Sequence, residues 1–247
     1  MDQFRKLGKQ SARRDPRTLR LSAYTSGLAL PPASFDLTSK MSNLGEMKND
    51  QLGDCTCAAI GHLIQYWTAA NGKQVILSDD EIVSLYSAVG GYVPGQPSTD
   101  NGAVEMDVLN YWRKNPICGN SLYAFAYLDS KVIKEAKEAI YYFGGAYLGF
   151  NLPLSAQDQD IWDVPFFGTI GKGKPGGWGG HAVPAVAYDS KYIYIITWGA
   201  IKKVTWPFYT TYCDETYALL AQDWVMNALS PSGFALNALT EDLQMIA

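Results

Sequence analysis

The chain has 247 residues, 47% apolar and 18% charged, enough for a well-buried core in one large domain or in two lobes sharing a cleft. A net charge of −4 and a pI near 5.2 argue against a dedicated nucleic-acid binder. The chain has no apolar run long enough to cross a bilayer and no apolar signal core at its start, so a non-secreted, cytoplasmic protein is expected.

Charge is distributed unevenly. Arg5, Lys6, Lys9, Arg13, Arg14, Arg17 and Arg20 face only Asp2 and Asp15, so residues 1–30 read as a basic arm on an acidic body. Such an arm either finds an acidic partner or lies on the protein's own acidic surface, and the second is the simpler expectation. Residues 21–50, with Pro31, Pro32 and several small polar residues, read as an extended segment laid across a surface. A helix follows over 54–70, with Asp54 as N-cap and Ala58, Ala59, Leu63, Ile64 and Trp67 in its apolar pattern. Ser78 followed by three acids starts a second helix to about Ala88, and a Gly/Pro/Ser-rich loop covers 90–103. Helices are predicted over 104–114 and 131–142, the latter closed by Gly144-Gly145. The period then changes to strands, at 146–151, 181–188, 192–198 and 217–220. Helices before strands predict an α+β fold with segregated lobes: helical over about 52–142, β over about 143–222, and a C-terminal extension over 223–247.

The four cysteines are too scattered for a disulfide framework, and Cys55 and Cys57 have no second close pair with which to bind zinc. No metal or other cofactor is expected. Cys55 stands at a predicted helix N-terminus, where free amides and the helix dipole favour a thiolate. Gly53 permits a tight turn and leaves room for a substrate carbonyl, while the Asp54 charge works against the thiolate. Of the two histidines, His62 lies seven residues along the same helix, about 10 Å from Cys55 at 1.5 Å per residue, too far for proton transfer. His181 follows Gly179-Gly180 at the start of an apolar strand and is the better base.

Several blocks, in order, resemble the papain-like cysteine peptidases. They are Pro32-Ala-Ser-Phe-Asp36, Gln51-Leu-Gly-Asp-Cys55, Asp100-Asn-Gly102-Ala, the helix, glycine turn and strand of Val132 to Gly149, His181-Ala-Val-Pro-Ala-Val-Ala-Tyr188, and Tyr192 through Trp198-Gly199. The resemblance spans about 32–220 and implies a helical N-terminal lobe, an antiparallel β lobe and an active site in the cleft between them. It also implies a Cys55–His181 pair, cleft contacts from Gly53, Gly102, Trp178, Gly180 and Trp198, and a peptide or protein substrate.

Three features depart from the family. Its oxyanion-donating Gln falls on Asn49 when counted back without gaps, with Gln51 the nearest actual Gln. Its His-orienting Asn falls on Thr197 counted from His181, or on Ile196 counted from Trp198-Gly199; Thr197 can bond an imidazole and Ile196 cannot. The family's long inhibitory pro-segment has only about thirty residues to correspond to it, which predicts either no zymogen stage or a short arm in the cleft. The expected activity is thiol-dependent cleavage of peptide or related amide bonds. The alternatives are a degenerate domain that binds without catalysing, and an acyl transferase or amidase using the same pair. Two further motifs carry no catalytic expectation. Gly168 to Lys174 mimics a phosphate loop but ends in Pro175, and Asp214-Glu215 is a carboxylate pair expected to be solvated between strands.

Overall fold

The computed structural model describes residues 5–225; the expected extension beyond Val225 lies outside the described residues. The longest helix, α2 (Cys55–Ala70), is buried along its entire length. It packs against α3 (Asp79–Gly90) and α4 (Glu105–Lys114) on one side and against a seven-stranded sheet on the other. Its weakly amphipathic sequence, with apolar or small residues on all faces, suits a helix enclosed on every side.

The sheet contains β1 (Leu19–Arg20), β2 (Leu122–Tyr127), β3 (Ala146–Leu152), β4 (Gly179–Tyr188), β5 (Tyr192–Thr197), β6 (Ala200–Thr205) and β7 (Cys213–Ala221), in the order β1-β2-β7-β3-β4-β5-β6. All neighbours pair antiparallel except β1 and β2. One face meets α2 through Tyr147, Ala182, Val186, Ile196, Tyr217 and Leu219. The other is covered by α5 (Ile133–Phe143) and α6 (Trp206–Tyr212), where Trp162, Phe208 and Tyr212 fill the second core. Short helices α1 (Ser22–Thr25) and α7 (Gln222–Val225) complete the helices of the described residues, and Trp224 of α7 stacks on Tyr66.

Helices α2 to α5 and strands β3 to β5 form within a few residues of expectation. The strand β2 was not anticipated. Its sequence, Leu-Tyr-Ala-Phe-Ala-Tyr, is buried almost throughout and has no clear alternation, so it joins the sheet from within the stretch read as helical. The same holds for α6, whose start is signalled by Thr205, which accepts the Phe208 N–H, and by proline in the first turn. Asp54 does not cap α2 with its side chain. Its carboxylate is buried and accepts the Asn49 amide instead, at 3.1 Å.

Candidate active site

Cys55 opens α2 and His181 lies near the start of β4, two elements in direct contact. The Ala182 N–H donates to Cys55 Sγ at 3.4 Å, which places the imidazole one residue from the sulfur's own hydrogen bond. Both side chains are buried, at 1% and 0% exposure. Strand β3 sets this register, with Phe150 opposite His181 and Gly149 opposite Ala182.

His181 is held from two sides. Its Nε2 lies 2.8 Å from Thr197 Oγ1, and its Nδ1 takes no hydrogen bond among the described residues. Trp198 stacks on the ring at 4.5 Å and 9°. That stacking depends on the two-residue turn between β5 and β6, in which Trp198 and Gly199 both have positive φ, 48° and 70°. A turn of this hand matches the strand twist, and Trp198 carries the strain that a side chain in that conformation imposes. Ile196, the other candidate orienting position, points into the core against α2.

The basic arm passes through this site. Lys9 N–H donates to Gly180 O and Gln10 N–H to Ala103 O, both at 3.0 Å, and Ala103 N–H donates to Gly8 O at 2.9 Å. The Gly8 backbone amide also lowers the Cys55 thiol pKa, so the arm runs beside the sulfur. The passage admits only backbone there. A Cβ on Gly8 would lie 1.8 Å from Gly53 O, one on Gly102 1.9 Å from Gly8 O, and one on Gly180 2.1 Å from Lys9 O. Gly102 needs no side chain for a second reason, its φ of 77°.

Ion pairs fix the arm to the body. Lys6 pairs with Asp100, which also accepts the Gly53 N–H and the Tyr86 hydroxyl, and Arg13 pairs with Asp107. Arg5 lies 4.4 Å from the centre of the Trp198 ring, the same ring that stacks on His181. Lys9 turns inward; its side chain is fully buried, with Nζ 3.0 Å from Asp214 Oδ1 and 3.1 Å from Glu215 Oε1. Of the two carboxylates expected to be solvated, both on β7, Glu215 is buried at 1% exposure while Asp214 stays partly exposed.

With the arm seated the pair is uncharged. Burial pushes the Cys55 thiol up to about 12, and the Asp54 charge adds to it. Burial, then the Arg5 charge, lowers His181 to about 3. His62 is also buried, beside Gln65, and is held at about 4 by burial.

No model of a known protein family matches the chain, and no curated protein matches it in sequence. Solved structures do. Xylellain, a cysteine protease from Xylella fastidiosa, aligns at 15% identity with a TM-score of 0.66, over 87% of this chain and 96% of that one. Digestive procathepsin L 3 of Tenebrio molitor larval midgut aligns at 15% identity with a TM-score of 0.59, over 88% and 76%. The cysteine protease and lectin-like domains of Cwp84 from Clostridium difficile align at 11% identity and 0.57, over 87% and 55%. The chain has the papain-like fold.

Within that papain-like cleft, the expected contact residues Gly53, Gly102 and Gly180 all border the arm. Trp178 packs against Trp198 at 5.7 Å. Beside Trp178 the cleft opens into a cavity of about 1040 Å³, lined by Arg5, the Gln157–Asp160 turn and Lys202. The two amides considered as oxyanion donors are engaged elsewhere. Asn49 is buried and gives its amide to Asp54 Oδ1 and Leu52 O, while Gln51 is exposed and bonds Asp50. The Gly168–Lys174 stretch is a loop with a single short turn, and no helix N-terminus is present there to bind phosphate. Sequence reasoning missed Lys9 and Glu105, whose signal is tertiary. No group of His, Cys, Asp and Glu among the described residues is arranged to hold a metal.

Proposed function

We propose that the chain is a thiol hydrolase of peptide or related amide bonds, acting through Cys55 and His181. The observation that supports this reading is a sulfur at the first residue of α2 that accepts the Ala182 N–H, next in the chain to an imidazole whose Nε2 lies 2.8 Å from Thr197 Oγ1 and whose Nδ1 takes no hydrogen bond among the described residues. Thr197 leaves Nδ1 free to take the thiol proton, and Trp198 shields the Nε2 bond from water.

The thiolate attacks the carbonyl carbon, forming a C–S bond and an oxyanion. The Cys55 backbone amide, at the positive end of α2, holds that oxyanion; an amide from Asn49 or Gln51 could join it only on leaving its bond to Asp54 or Asp50. The imidazolium returns its proton to the departing nitrogen as the C–N bond breaks. A water molecule, deprotonated by His181, then hydrolyses the thioester, releasing a carboxylic acid and restoring the thiol.

In the arm-seated state Gly8 runs beside Cys55 with its carbonyl oxygen accepting the Ala103 N–H. With the arm lying across the cleft, this state reads as a resting form. A second reading, a binding domain without catalysis, draws on the commitment of Asn49 to Asp54. The test is peptide hydrolysis by the full chain carrying Gly8→Ala, beside the same chain with Cys55→Ala. Turnover in the first and none in the second supports the hydrolase. If Cys55 in Gly8→Ala protein alkylates no faster than Cys118 at neutral pH and no peptide is cut, the binding-domain reading replaces it.

A further inference from the structure

The arm seats a lysine in an unusual place. Strand β3 carries Gly149, which has Ala182 opposite on β4 and Glu215 opposite on β7. The missing side chain leaves a hollow beside Cys55. A Cβ on Gly149 would lie 2.1 Å from Lys9 Cε, 2.6 Å from Glu105 Oε1 and 2.7 Å from Glu215 Cγ. Lys9 and two carboxylates thus converge at one point.

The hollow is built for positive charge. Glu105, in the first turn of α4, is fully buried, and neither of its oxygens takes a hydrogen bond among the described residues. The other two acids are fixed in place. Asn151 donates to Asp214 Oδ2 at 2.9 Å and the Tyr217 hydroxyl to Glu215 Oε2 at 3.1 Å. Three carboxylates converging without a cation would repel one another and lose hydration, which is costly in an interior. Burial by itself lowers the ammonium of Lys9, yet the three acids outweigh it and hold the ammonium charged.

The hollow is also placed where a substrate side chain must go. The backbone edges that hold Lys9, at Ala103 and Gly180, flank the sulfur, and any extended peptide crossing Cys55 would pair with them. Lys9 adjoins Gly8, the residue against Sγ.

We infer that Glu105, Asp214 and Glu215, around Gly149, form a specificity pocket for a lysine or arginine close to the scissile bond, and that Lys9 occupies it as an internal mimic of that residue. This deepens the hydrolase reading and rests on it for the word substrate, but the preference for a cation is separable from catalysis.

The experiment uses the full chain with Lys9→Leu, which removes the arm's own cation, and fluorogenic peptides differing only near the scissile bond. Lysine and arginine peptides are expected to be cut at least about tenfold faster than the leucine peptide, with the advantage lost in Glu215→Gln. Faster cleavage of the leucine peptide would overturn the pocket and leave the hydrolase standing. If no peptide is cut, the hydrolase reading fails and the pocket is judged by the arm itself. Amide exchange at residues 9 and 10 should then remain slow with Lys9→Arg and become at least about tenfold faster with Lys9→Leu. Equal exchange in the two variants would overturn the pocket.

Discussion

His181 Nε2 lies 2.8 Å from Thr197 Oγ1, and a hydroxyl orients an imidazole less strictly than an amide does. A carboxamide oxygen only accepts, so it fixes the proton on Nε2 and leaves Nδ1 as the base. A threonine hydroxyl can donate or accept and so tolerates both tautomers. Thr197→Val, close in size, should lower kcat about tenfold to a hundredfold in arm-released protein with KM little changed, because orientation matters only as the proton moves. Thr197→Asn should raise kcat above the parent if the ring pocket admits the larger side chain. Steady-state kinetics in the Gly8→Ala background measure both.

Gly8 is where the arm can be dislodged with least disturbance. A single methyl there meets the Gly53 carbonyl at 1.8 Å, and the wall it strikes is backbone that cannot yield. Gly8→Ala should unseat the arm, hydrate Cys55 and raise its alkylation rate at neutral pH at least about tenfold, since burial dominates the raised thiol pKa. The core of the fold does not use Gly8, so the melting temperature should fall by only a few degrees. Mass-spectrometric labelling at Cys55, with Cys118 as the exposed internal reference, provides the measurement.

The place of the proposed nucleophile at a helix start was legible because Gly53-Asp54-Cys55 interrupts the chain just before an apolar helix. The place of the proposed base on a strand was legible because a glycine pair precedes an apolar run. Thr197 needed only its place at the end of a strand. Other features depended on contacts that no local pattern encodes. The carboxylates of Asp214 and Glu215 looked solvated because β7 was expected to begin at Tyr217; it begins at Cys213, and the bare Gly149 across the sheet draws Glu215 inward. Lys9 looked like one more charge on a basic arm, and its burial follows from a hollow assembled from α4, β3 and β7. Asp54 had the sequence of a helix cap, yet its burial beside Asn49 outcompeted that role.

Acid should release the arm. Burial raises the Glu105 and Glu215 carboxyls in the seated form, and the Lys9 ammonium opposes that rise, so the acid response rests on His181. His181 is lowered to about 3 in the seated form by burial and by Arg5, and returns toward 6.5 once both are removed. His181 therefore binds protons more readily with the arm out, so through this group a falling pH favours the released form. The His181 effect begins below about 6.5 and saturates near 3. The released fraction should rise roughly tenfold or more between pH 7 and pH 4, read by a brief alkylation pulse at a fixed pH after equilibration. Tighter seating at pH 4 than at pH 7 would contradict this.

Asp54 gives the last prediction, because its carboxyl adjoins the nucleophile and has no functional partner beyond Asn49. It is buried, its Oδ2 takes no hydrogen bond among the described residues, and burial raises its pKa well above the usual carboxylate range. When ionised, it opposes the Cys55 thiolate, whose pKa it raises. Asp54→Asn keeps the shape and the Oδ1 that accepts from Asn49, and it removes the charge. In the Gly8→Ala background the substitution should shift the pH–rate profile of Cys55 alkylation downward by less than about one unit. The rate at pH 8, where the carboxyl is most ionised, should increase about threefold to tenfold. An unchanged profile would mean that Asp54 stays protonated throughout and has no electrostatic effect on the sulfur. Stability should change little, because one orphaned polar atom replaces another at the same buried position.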